Sequence, residues 1–350
     1  MTATADVGST QIRTKDVPCA ICGSESRAPL ASGIDHFNHC SDQTFTMVRC
    51  LDCEHTYLCP RPIDEDLELI YPQDGRYYSY RLKTESEKSL GNRWMSRFFA
   101  FRNRQRLSYF LRHFANVPEG RIKILDLGCG DGTRLEYWKS VFPNAETHGL
   151  ELGKQGAEIA RARGHRVVSC RVEDAEFPEH AFDVVHSAYL IEHLGDPLGF
   201  LRQCEALVKP TGLVVIYMPV TDSLDFRLFR GSYWGLHGFP QHWNLFSTAN
   251  FRRLVARTGM TIEEIRYLPI ATSWIWSLHA AVWRRHPRSA EVLFPMNAIF
   301  YRGTLYNWAL LTLFTLWDMS VRCVTGTTSD VMCVLLSLIH ISEPTRQAEI

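Results

Sequence analysis

Three glycines at alternate positions, Gly128, Gly130 and Gly132, form the stretch of this chain with the clearest capacity to bind a ligand. They follow a short apolar run, 122–127, which is typical of a buried parallel strand, and they precede a segment with a helical pattern. Glycine lets the backbone turn sharply and approach a ligand that a Cβ atom would keep away. The pattern predicts a ligand-binding loop, and the alternative is a tight turn without a ligand.

An acidic residue inside this loop separates two classes of ligand. Dinucleotide-binding loops carry Gly or Ala where this chain has Thr133, and their ligand bears two phosphates. The carboxylate of Asp131 would repel a pyrophosphate and attract a ligand with an ammonium and a sulfonium. The loop therefore favours a positively charged ligand over a dinucleotide.

A second acidic residue closes the next predicted strand. Glu151 is the last residue of the strand 146–151 and comes 21 residues after Gly130. A doubly wound sheet places an acid at this point to accept hydrogen bonds from the two hydroxyls of a ribose. An acid at a strand end is also common on protein surfaces, so the ribose role depends on its combination with the glycine loop.

Four cysteines in two Cys-x-x-Cys pairs predict a structural zinc site, because each pair turns two sulfurs towards one point. The pairs are Cys19 with Cys22 and Cys50 with Cys53, with 27 residues between them. This gap is long for a zinc ribbon, so other ligands remain open: Cys40, Cys59, His36, His39 and His55. We expect loss of the metal to unfold residues 19–60 and to leave the later domain folded. The alternative is that reduced cysteines pack as small apolar residues.

Strands and helices alternate from 122 to 219, which predicts an α/β fold with a parallel sheet that holds the loop and Glu151. The predicted strands of this part are 122–127, 146–151, 165–170, 181–187 and 213–218. The fourth strand lies next to the first in a doubly wound sheet, so its end must face the ligand.

The string Asp-x-Gly-x-Gly-x-Gly from Asp126 resembles the first motif of the class I methyltransferases that use S-adenosylmethionine. The segment 188–197 resembles the part of that family beside the methyl donor. The resemblance implies a Rossmann-like methyltransferase sheet of seven strands with helices on both faces, completed by strands 259–269 and 329–335. It also implies a donor site built from Asp126, Gly128, Cys129, Gly130, Asp131, Glu151, Leu152, Asp174, Ser187 and Tyr189.

One assignment within this implied site has a competitor. In the resembled family an acid after the third strand accepts a hydrogen bond from the adenine amino group. Asp174 matches that position, and the neighbouring Glu173 is the alternative.

The cysteine pairs, the following Pro-Arg-Pro and a Tyr-Tyr pair resemble a zinc-binding leader found ahead of bacterial methyltransferase domains, including those that act on nucleotide-linked sugars. This resemblance implies methyl transfer to a small-molecule acceptor such as a nucleotide sugar or glycan precursor. Two alternatives stay open. One is an RNA methyltransferase that uses a basic helix predicted at 91–117, and the other is a non-catalytic scaffold that binds the donor or a membrane.

Three histidines are candidate general bases, because imidazole can accept a proton near neutral pH. His193 lies in the segment beside the donor. His237 and His242 lie in an aromatic stretch that resembles the family's substrate-side loop. The alternative for each is a histidine that only bonds to a neighbouring loop.

Balanced charge, with 38 basic and 38 acidic residues, gives no global attraction to nucleic acid, so nucleic acid is not an expected partner. Residues 1–15 are polar and contain no apolar signal core, which favours a cytoplasmic protein. We expect this organisation: a disordered tail 1–15, a zinc-binding leader 16–75, a methyltransferase domain 76–335 and a C-terminal segment 336–350. That last segment resembles the translation of a sequencing adapter, so we expect it not to belong to the natural chain.

An aromatic insert, 270–328, interrupts the methyltransferase domain. Its apolar run 305–317 is shorter than the roughly 20 residues that a membrane-spanning helix needs. It is typical of a substrate lid or of an element lying on the inner membrane surface, and a dimer contact is the alternative. The sequence does not determine the oligomeric state.

Overall fold

The computed structural model of the protein describes residues 11–35, 40–71, 106–114, 121–231, 233–295 and 304–337, with residues 97, 101, 103 and 104 between them. His36, His39, most of the predicted helix 91–117 and the segment 338–350 therefore lie outside the described residues. Of that helix, residues 106–108 are helical and continue into a 3-10 turn, Tyr109–Arg112.

The N-terminal unit consists of short antiparallel strands that carry the paired cysteines. Its elements are β1 (Thr14–Lys15), β2 (Arg27–Gly33), β3 (Phe45–Cys50), β4 (Thr56–Leu58), β5 (Arg61–Pro62) and helix α1 (Leu67–Ile70). Strand β1 pairs with β5, and β3 pairs with both β2 and β4.

The predicted tail 1–15 is wrong for its described part. Ile12 is 1% exposed, and the Arg13 guanidinium pairs with the Asp66 carboxylate at 2.6 Å. Residues 11–15 therefore belong to the folded unit.

The central part of the chain alternates strands with helices, as expected. In chain order its elements are β6 (Lys123–Leu127), α2 (Thr133–Val141), β7 (Glu146–Leu150), α3 (Lys154–Ala162), β8 (Arg166–Val168), β9 (Phe182–Ala188), α4 (Pro197–Leu207), β10 (Val208–Pro219), α5 (Leu224–Phe229), β11 (Asn244–Leu245), α6 (Thr248–Val255), β12 (Met260–Tyr267), α7 (Ala271–Trp283), α8 (Pro287–Leu293), α9 (Leu305–Thr325) and β13 (Asp330–Ser337).

Seven of these strands form one mixed sheet in the order β12-β13-β10-β9-β6-β7-β8. The five strands from β10 to β8 are parallel, whereas β13 runs antiparallel to both of its neighbours. This confirms the predicted α/β class and the seven-stranded methyltransferase sheet. It also confirms that the fourth strand of the central part, β9, lies beside the first, β6.

Alternating side chains of the strands fill separate cores on the two faces of the sheet. In β10, Val214 and Ile216 point into one core, which also contains Leu201 of α4. Val215 and Tyr217 point into the other, which also contains Trp138 of α2. Helices therefore cover both faces, as the resemblance implies.

Two strands are longer than the sequence indicates. Strand β10 begins at Val208, which pairs with Phe182, because the chain enters the sheet directly from α4. Strand β13 runs to Ser337, and Leu336 is aligned with Leu213 of β10. Two residues beyond the predicted boundary at 335 thus take part in the sheet.

The leader is continuous with the later domain. Strand β11 of the later domain pairs with β4 and becomes the edge of the leader's sheet. Cys19, Cys50 and Cys53 lie in the same apolar core as the strand residues Leu125 and Val185. This differs from the expectation of a unit that unfolds alone, because the two parts share both a sheet and a core.

The described residues of the aromatic insert form the helices α7, α8 and α9, and α7 packs against both of the others. Helix α7 is anchored by Asp318 of α9, whose carboxylate accepts hydrogen bonds from the Trp274 Nε1 and the Ile270 backbone amide, both at 2.8 Å. Burial raises the pKa of Asp318 to about 6. The 21-residue helix α9 extends past the apolar run 305–317. None of the helices in the described ranges combines the length and apolar content that crossing a bilayer requires.

Candidate functional site

The glycine loop joins β6 to α2 and needs its glycines for conformational reasons. Gly128, Gly130 and Gly132 have φ angles of 79°, 56° and 80°, in the left-handed region where a Cβ atom is strained. The amides of Gly128 and Cys129 both donate to the Leu150 carbonyl, which ties the loop to the end of β7. Cys129 is buried beneath the loop and packs its Sγ towards Gly149.

Glu151 holds this loop from the next strand. Its Oε2 accepts from the Gly130 amide at 2.8 Å and its Oε1 accepts from the Gly153 amide at 2.7 Å. Each carboxylate oxygen can accept a second hydrogen bond. Glu151 thus fixes the glycine loop from the end of the neighbouring strand.

Asp126 lies deeper than the other predicted donor residues. It is fully buried in β6, and its Oδ1 faces the Nδ1 of His186 on β9 at 2.7 Å. The carboxylate therefore ties the two central strands together below the loop. Sequence reasoning did not identify His186, because the two residues are 60 positions apart and no local pattern links them.

Asp131 has partners within the protein. Its Oδ1 accepts from the Thr133 amide at 3.0 Å, and its Oδ2 pairs with Arg163 at 3.1 Å. The carboxylate thus stabilises the first turn of α2. Arg163 therefore partly balances the negative charge that was predicted to attract a positively charged ligand.

The remaining donor candidates follow β7, β8 and β9 at the same edge. Leu152, 38% exposed, comes directly after Glu151. Asp174 ends an exposed 3-10 turn, in which Arg171 bonds to Glu173. Ser187 is buried at the end of β9, and Tyr189 has a φ of 57° and donates its hydroxyl to Asp330 at 2.8 Å. The Tyr189 hydroxyl therefore supports the sheet, and the guanidinium of Arg134 lies over the Tyr189 ring at 5.3 Å.

His193 and His242 form a pair beside this edge. Their ring centroids are 4.8 Å apart, and one ring nitrogen of each lies within 4.8 Å of a Glu192 carboxylate oxygen. The Nδ1 of His242 is 2.8 Å from the Leu236 carbonyl, and the Nδ1 of His193 is 2.9 Å from the Gln241 carbonyl. A carbonyl only accepts, so the Nδ1 of neutral His242 is protonated and its Nε2 carries the lone pair. The Nδ1 of His193 also lies 2.9 Å from the Tyr71 hydroxyl.

Burial shifts the pKa values of His242 and of the neighbouring Glu192. It lowers the pKa of His242 to about 4 and raises the pKa of Glu192 to about 8. Neutral imidazole and neutral carboxylic acid are thus the main forms near pH 7. Sequence reasoning did not select Glu192, although it directly precedes His193.

His237 occupies a different setting. It is 2% exposed, its Nε2 donates to the Gly231 carbonyl at 2.9 Å, and its ring packs among Phe226, Trp234 and Phe239. These contacts match the alternative of a histidine that holds a loop. These surroundings therefore favour the loop-holding alternative for His237 over the role of a general base.

The four paired cysteines converge as a metal site would require. The Sγ atoms of Cys19 and Cys53, and those of Cys22 and Cys50, are 3.5 Å apart, and all four lie within 4.8 Å of one another. Tetrahedral Zn–S bonds of about 2.3 Å separate sulfurs by roughly 3.8 Å, so the cluster fits zinc. Burial raises the pKa of Cys19 to about 11, and a bound dication would reverse this effect. Four thiolates would make the site structural.

The described alternative ligands are engaged elsewhere. The Cys40 thiol donates to Asp35 at 2.7 Å, and the Cys59 thiol donates to Asp16 at 3.3 Å. His55 bonds to Asn244 at 2.9 Å. This geometry favours the two Cys-x-x-Cys pairs as the complete ligand set.

We predict that Gly149→Ala disturbs the glycine loop from below. A Cβ atom at Gly149 would lie 2.5 Å from the Cys129 Sγ, which forces that side chain and the loop to move. Overpacking of this kind costs about 1–3 kcal/mol of the free energy of unfolding. Chemical denaturation of Gly149→Ala, Cys129→Ala and the double variant checks this. The double variant should recover part of the loss, and strictly additive losses would contradict the proposed clash.

Known proteins resemble this chain in its central and later parts. A family model described as a methyltransferase domain matches residues 93–265. The ubiquinone biosynthesis O-methyltransferase of Vibrio campbellii is 30% identical over 188 residues, covering 49% of this chain and 78% of that protein. The protein of the same name from Cereibacter sphaeroides is 27% identical over 176 residues, covering 47% and 70%.

Among solved structures, the plantazolicin methyltransferase BpumL in complex with SAH aligns with a TM-score of 0.45 and 15% identity, covering 77% of this chain and 93% of that one. The relative from Vibrio campbellii matches over more than three quarters of its own length. Together with the glycine loop and the seven-stranded sheet, this match shows that the chain belongs to the class I S-adenosylmethionine-dependent methyltransferases.

Proposed function

We propose that the methyl donor binds across the carboxyl ends of β6, β7 and β8. Glu151 accepts the ribose hydroxyls, and Asp174 accepts from the adenine amino group. The backbone at Gly128 and Gly130 comes close to the methionine part of the donor. Support comes from the left-handed backbone conformation of the loop glycines. It also comes from the two backbone amides that donate hydrogen bonds to the Glu151 carboxylate at the strand end.

We predict that Glu151→Gln weakens S-adenosylmethionine binding by at least about tenfold. The amide group removes one acceptor oxygen and turns a donor towards the Gly130 or Gly153 amide, which costs roughly 1–3 kcal/mol. Calorimetric titration measures the effect. Asp174→Asn should weaken binding less, and the matched variant Glu173→Gln should leave it unchanged. Stronger loss in Glu173→Gln than in Asp174→Asn would exchange the roles of the two acids.

The acceptor in this proposal is a hydroxyl of a small molecule, and the observation that carries it is the histidine pair. The Nε2 of neutral His242 has a lone pair because its Nδ1 faces the Leu236 carbonyl, and His193 packs against this imidazole. His193 lies in the 3-10 turn that follows β9, at the same sheet edge as the donor loop. The relatives named ubiquinone biosynthesis O-methyltransferase support an oxygen acceptor.

In the proposed reaction, the acceptor oxygen attacks the methyl carbon in line with the departing sulfur. The C–O bond forms as the C–S bond breaks, and the bonding electron pair returns to sulfur to give S-adenosylhomocysteine. His242 accepts the hydroxyl proton at Nε2. The methyl group is already activated by the positive sulfur, so alignment and exclusion of water are the main contributions of the protein.

We predict that His242→Gln lowers kcat by roughly tenfold to 10²-fold, below the upper range for general bases, because a base with a pKa of about 4 is weaker than one matched to neutral pH. Donor affinity should be unchanged. His237→Gln is the matched control, since Gln retains a donor for the Gly231 carbonyl, and it should keep turnover. Because burial lowers the pKa of His242 to about 4, wild-type kcat/KM should not fall between pH 8 and pH 5. An acid limb near pH 6.5 would contradict this assignment.

Two groups of hydroxyl compounds are candidates for the methyl acceptor. The leader resembles that of nucleotide-sugar enzymes, whereas the relatives are named for ubiquinone biosynthesis. Transfer of a labelled methyl group to nucleotide sugars and to phenols separates these classes. Donor binding without transfer to any acceptor would favour the non-catalytic alternative.

We also propose that α9 makes peripheral contact with a membrane. Its outer side exposes large apolar side chains, among them Leu305, Leu313, Leu316, Trp317 and Val324. A helix with one exposed apolar side can lie in the interface of a bilayer. A lid over a hydrophobic acceptor is the second use of the same surface.

We predict that the wild-type protein sediments with vesicles of phosphatidylcholine and phosphatidylglycerol. The double variant Leu313→Glu, Leu316→Glu should remain in the supernatant, because two charges replace apolar contacts. Leu111→Glu is the control, since Leu111 is 45% exposed but lies outside α9. Absence of wild-type protein from the pellet would remove the membrane proposal and leave the lid.

A further inference from the structure

The segment after His242 holds the turn that carries His193 on both sides. The Trp243 amide donates to the Glu192 carbonyl at 2.7 Å, and the Asn244 Nδ2 donates to the Leu194 carbonyl at 2.8 Å. His193 stands between these two carbonyls. Its own Nδ1 bonds to the carbonyl of Gln241, the residue before His242. The positions of the two imidazoles therefore depend on residues 241–244.

This segment is in turn held by the leader. The Leu58 amide donates to the Trp243 carbonyl at 3.0 Å, and Asn244 is aligned with Tyr57 where β11 joins β4. The side chain of His55 reaches Asn244 with Nε2 at 2.9 Å from Oδ1. His55, Asn244 and Trp243 are all at least 96% buried.

The direction of each hydrogen bond follows from the atoms involved. The Leu194 carbonyl can only accept, so the amide nitrogen of Asn244 faces it and the amide oxygen faces His55. The Asn244 oxygen can only accept, so His55 donates from Nε2. A single orientation of the Asn244 amide satisfies both contacts, and His55 as a donor supports the orientation that the Leu194 carbonyl requires.

His55 also belongs to the second cysteine knuckle. Its backbone carbonyl accepts from the Cys50 amide at 2.9 Å, and it lies two residues after Cys53. A continuous series of hydrogen bonds thus runs from this knuckle through His55 and Asn244 to the turn at His193.

We propose that His55 and Asn244 are positioning residues for His193 and His242. In this proposal the leader contributes to the reaction by holding these two imidazoles in place. The proposal rests on the proposed function only in assigning those imidazoles to the acceptor. Neither His55 nor Asn244 contacts the reacting atoms. Their effect is exerted through the bonds to Leu194 and to the strand pair β4 and β11.

Two substitutions at His55 distinguish positioning from simple packing. His55→Gln keeps a nitrogen donor at the distance of Nε2, whereas His55→Asn is too short to reach the Asn244 oxygen. Asn244→Ala removes both side-chain bonds and provides a second route if His55→Asn fails to fold. Thr56→Val is the control, because it changes the buried polar residue that directly follows His55, at the start of β4, without changing its shape.

The first measurement is the NMR spectrum of the protein with ¹⁵N-labelled histidine, with His193 and His242 assigned by their Gln variants. It requires no acceptor, so it remains informative if the proposed reaction is wrong. We expect His55→Asn and Asn244→Ala to shift the imidazole nitrogens of His193 and His242, and His55→Gln and Thr56→Val to leave them in place. Unchanged signals in folded His55→Asn or Asn244→Ala, or equal shifts in His55→Gln and His55→Asn, would overturn the proposal.

The second measurement is turnover with an acceptor found in the screen. Displacement of a reacting group costs up to about 10²-fold in rate, so kcat should fall roughly tenfold to hundredfold in His55→Asn and Asn244→Ala. The dissociation constant of S-adenosylmethionine should stay the same, and His55→Gln should restore kcat. A parallel loss of donor affinity would mean that the substitutions act on the whole fold, and would also overturn the proposal.

Discussion

The pairing of β6 between β9 and β7 is the constraint on which the rest of the molecule depends. All three strands are parallel, so their carboxyl ends meet at one edge and deliver the glycine loop, Glu151 and Ser187 to the same place. The bond between Asp126 and His186 fixes this pairing inside the sheet. The backbone amides of Gly130 and Gly153 then donate to the Glu151 carboxylate, which holds the loop to the end of β7.

The surroundings of His193 and His242 are built differently, from parts of the chain that are far apart in sequence. His193 comes from the turn after β9 and His242 from the loop before β11, and the Tyr71 hydroxyl, 2.9 Å from the His193 Nδ1, comes from the residue after α1. These parts meet because β11 completes the sheet of the leader. The leader is therefore part of the framework around His193 and His242, in addition to carrying the cysteine cluster.

Local patterns explain what could be predicted from the sequence. The loop glycines have left-handed backbone angles, and each Cys-x-x-Cys pair turns within four residues, so sequence spacing alone reports their geometry. Strands and helices of the central part show equally local periodicity. The resemblance to methyltransferases then supplied the number of strands and the donor.

Contacts between distant residues explain what sequence reasoning missed. Asn244 meets His55 across 189 positions, and no pattern near either residue indicates the other. A two-residue strand such as β1 or β11 is too short to show alternation of apolar and polar residues. No sequence pattern therefore indicated that the start of the chain is folded or that β11 joins the leader's sheet. His237 resembles His242 in sequence context, and the packing of Phe226, Trp234 and Phe239 around His237 is visible only in the fold.

The shared sheet also limits how this architecture can be divided. Strand β4 lies between β3 and β11, so a leader separated from the later domain would expose the amides and carbonyls of β4 along an open edge. Open edges invite pairing with other chains, which leads to aggregation. The leader is thus not an interchangeable module, and a chimera that moves it to another methyltransferase must bring its own equivalent of Asn244–Leu245 along.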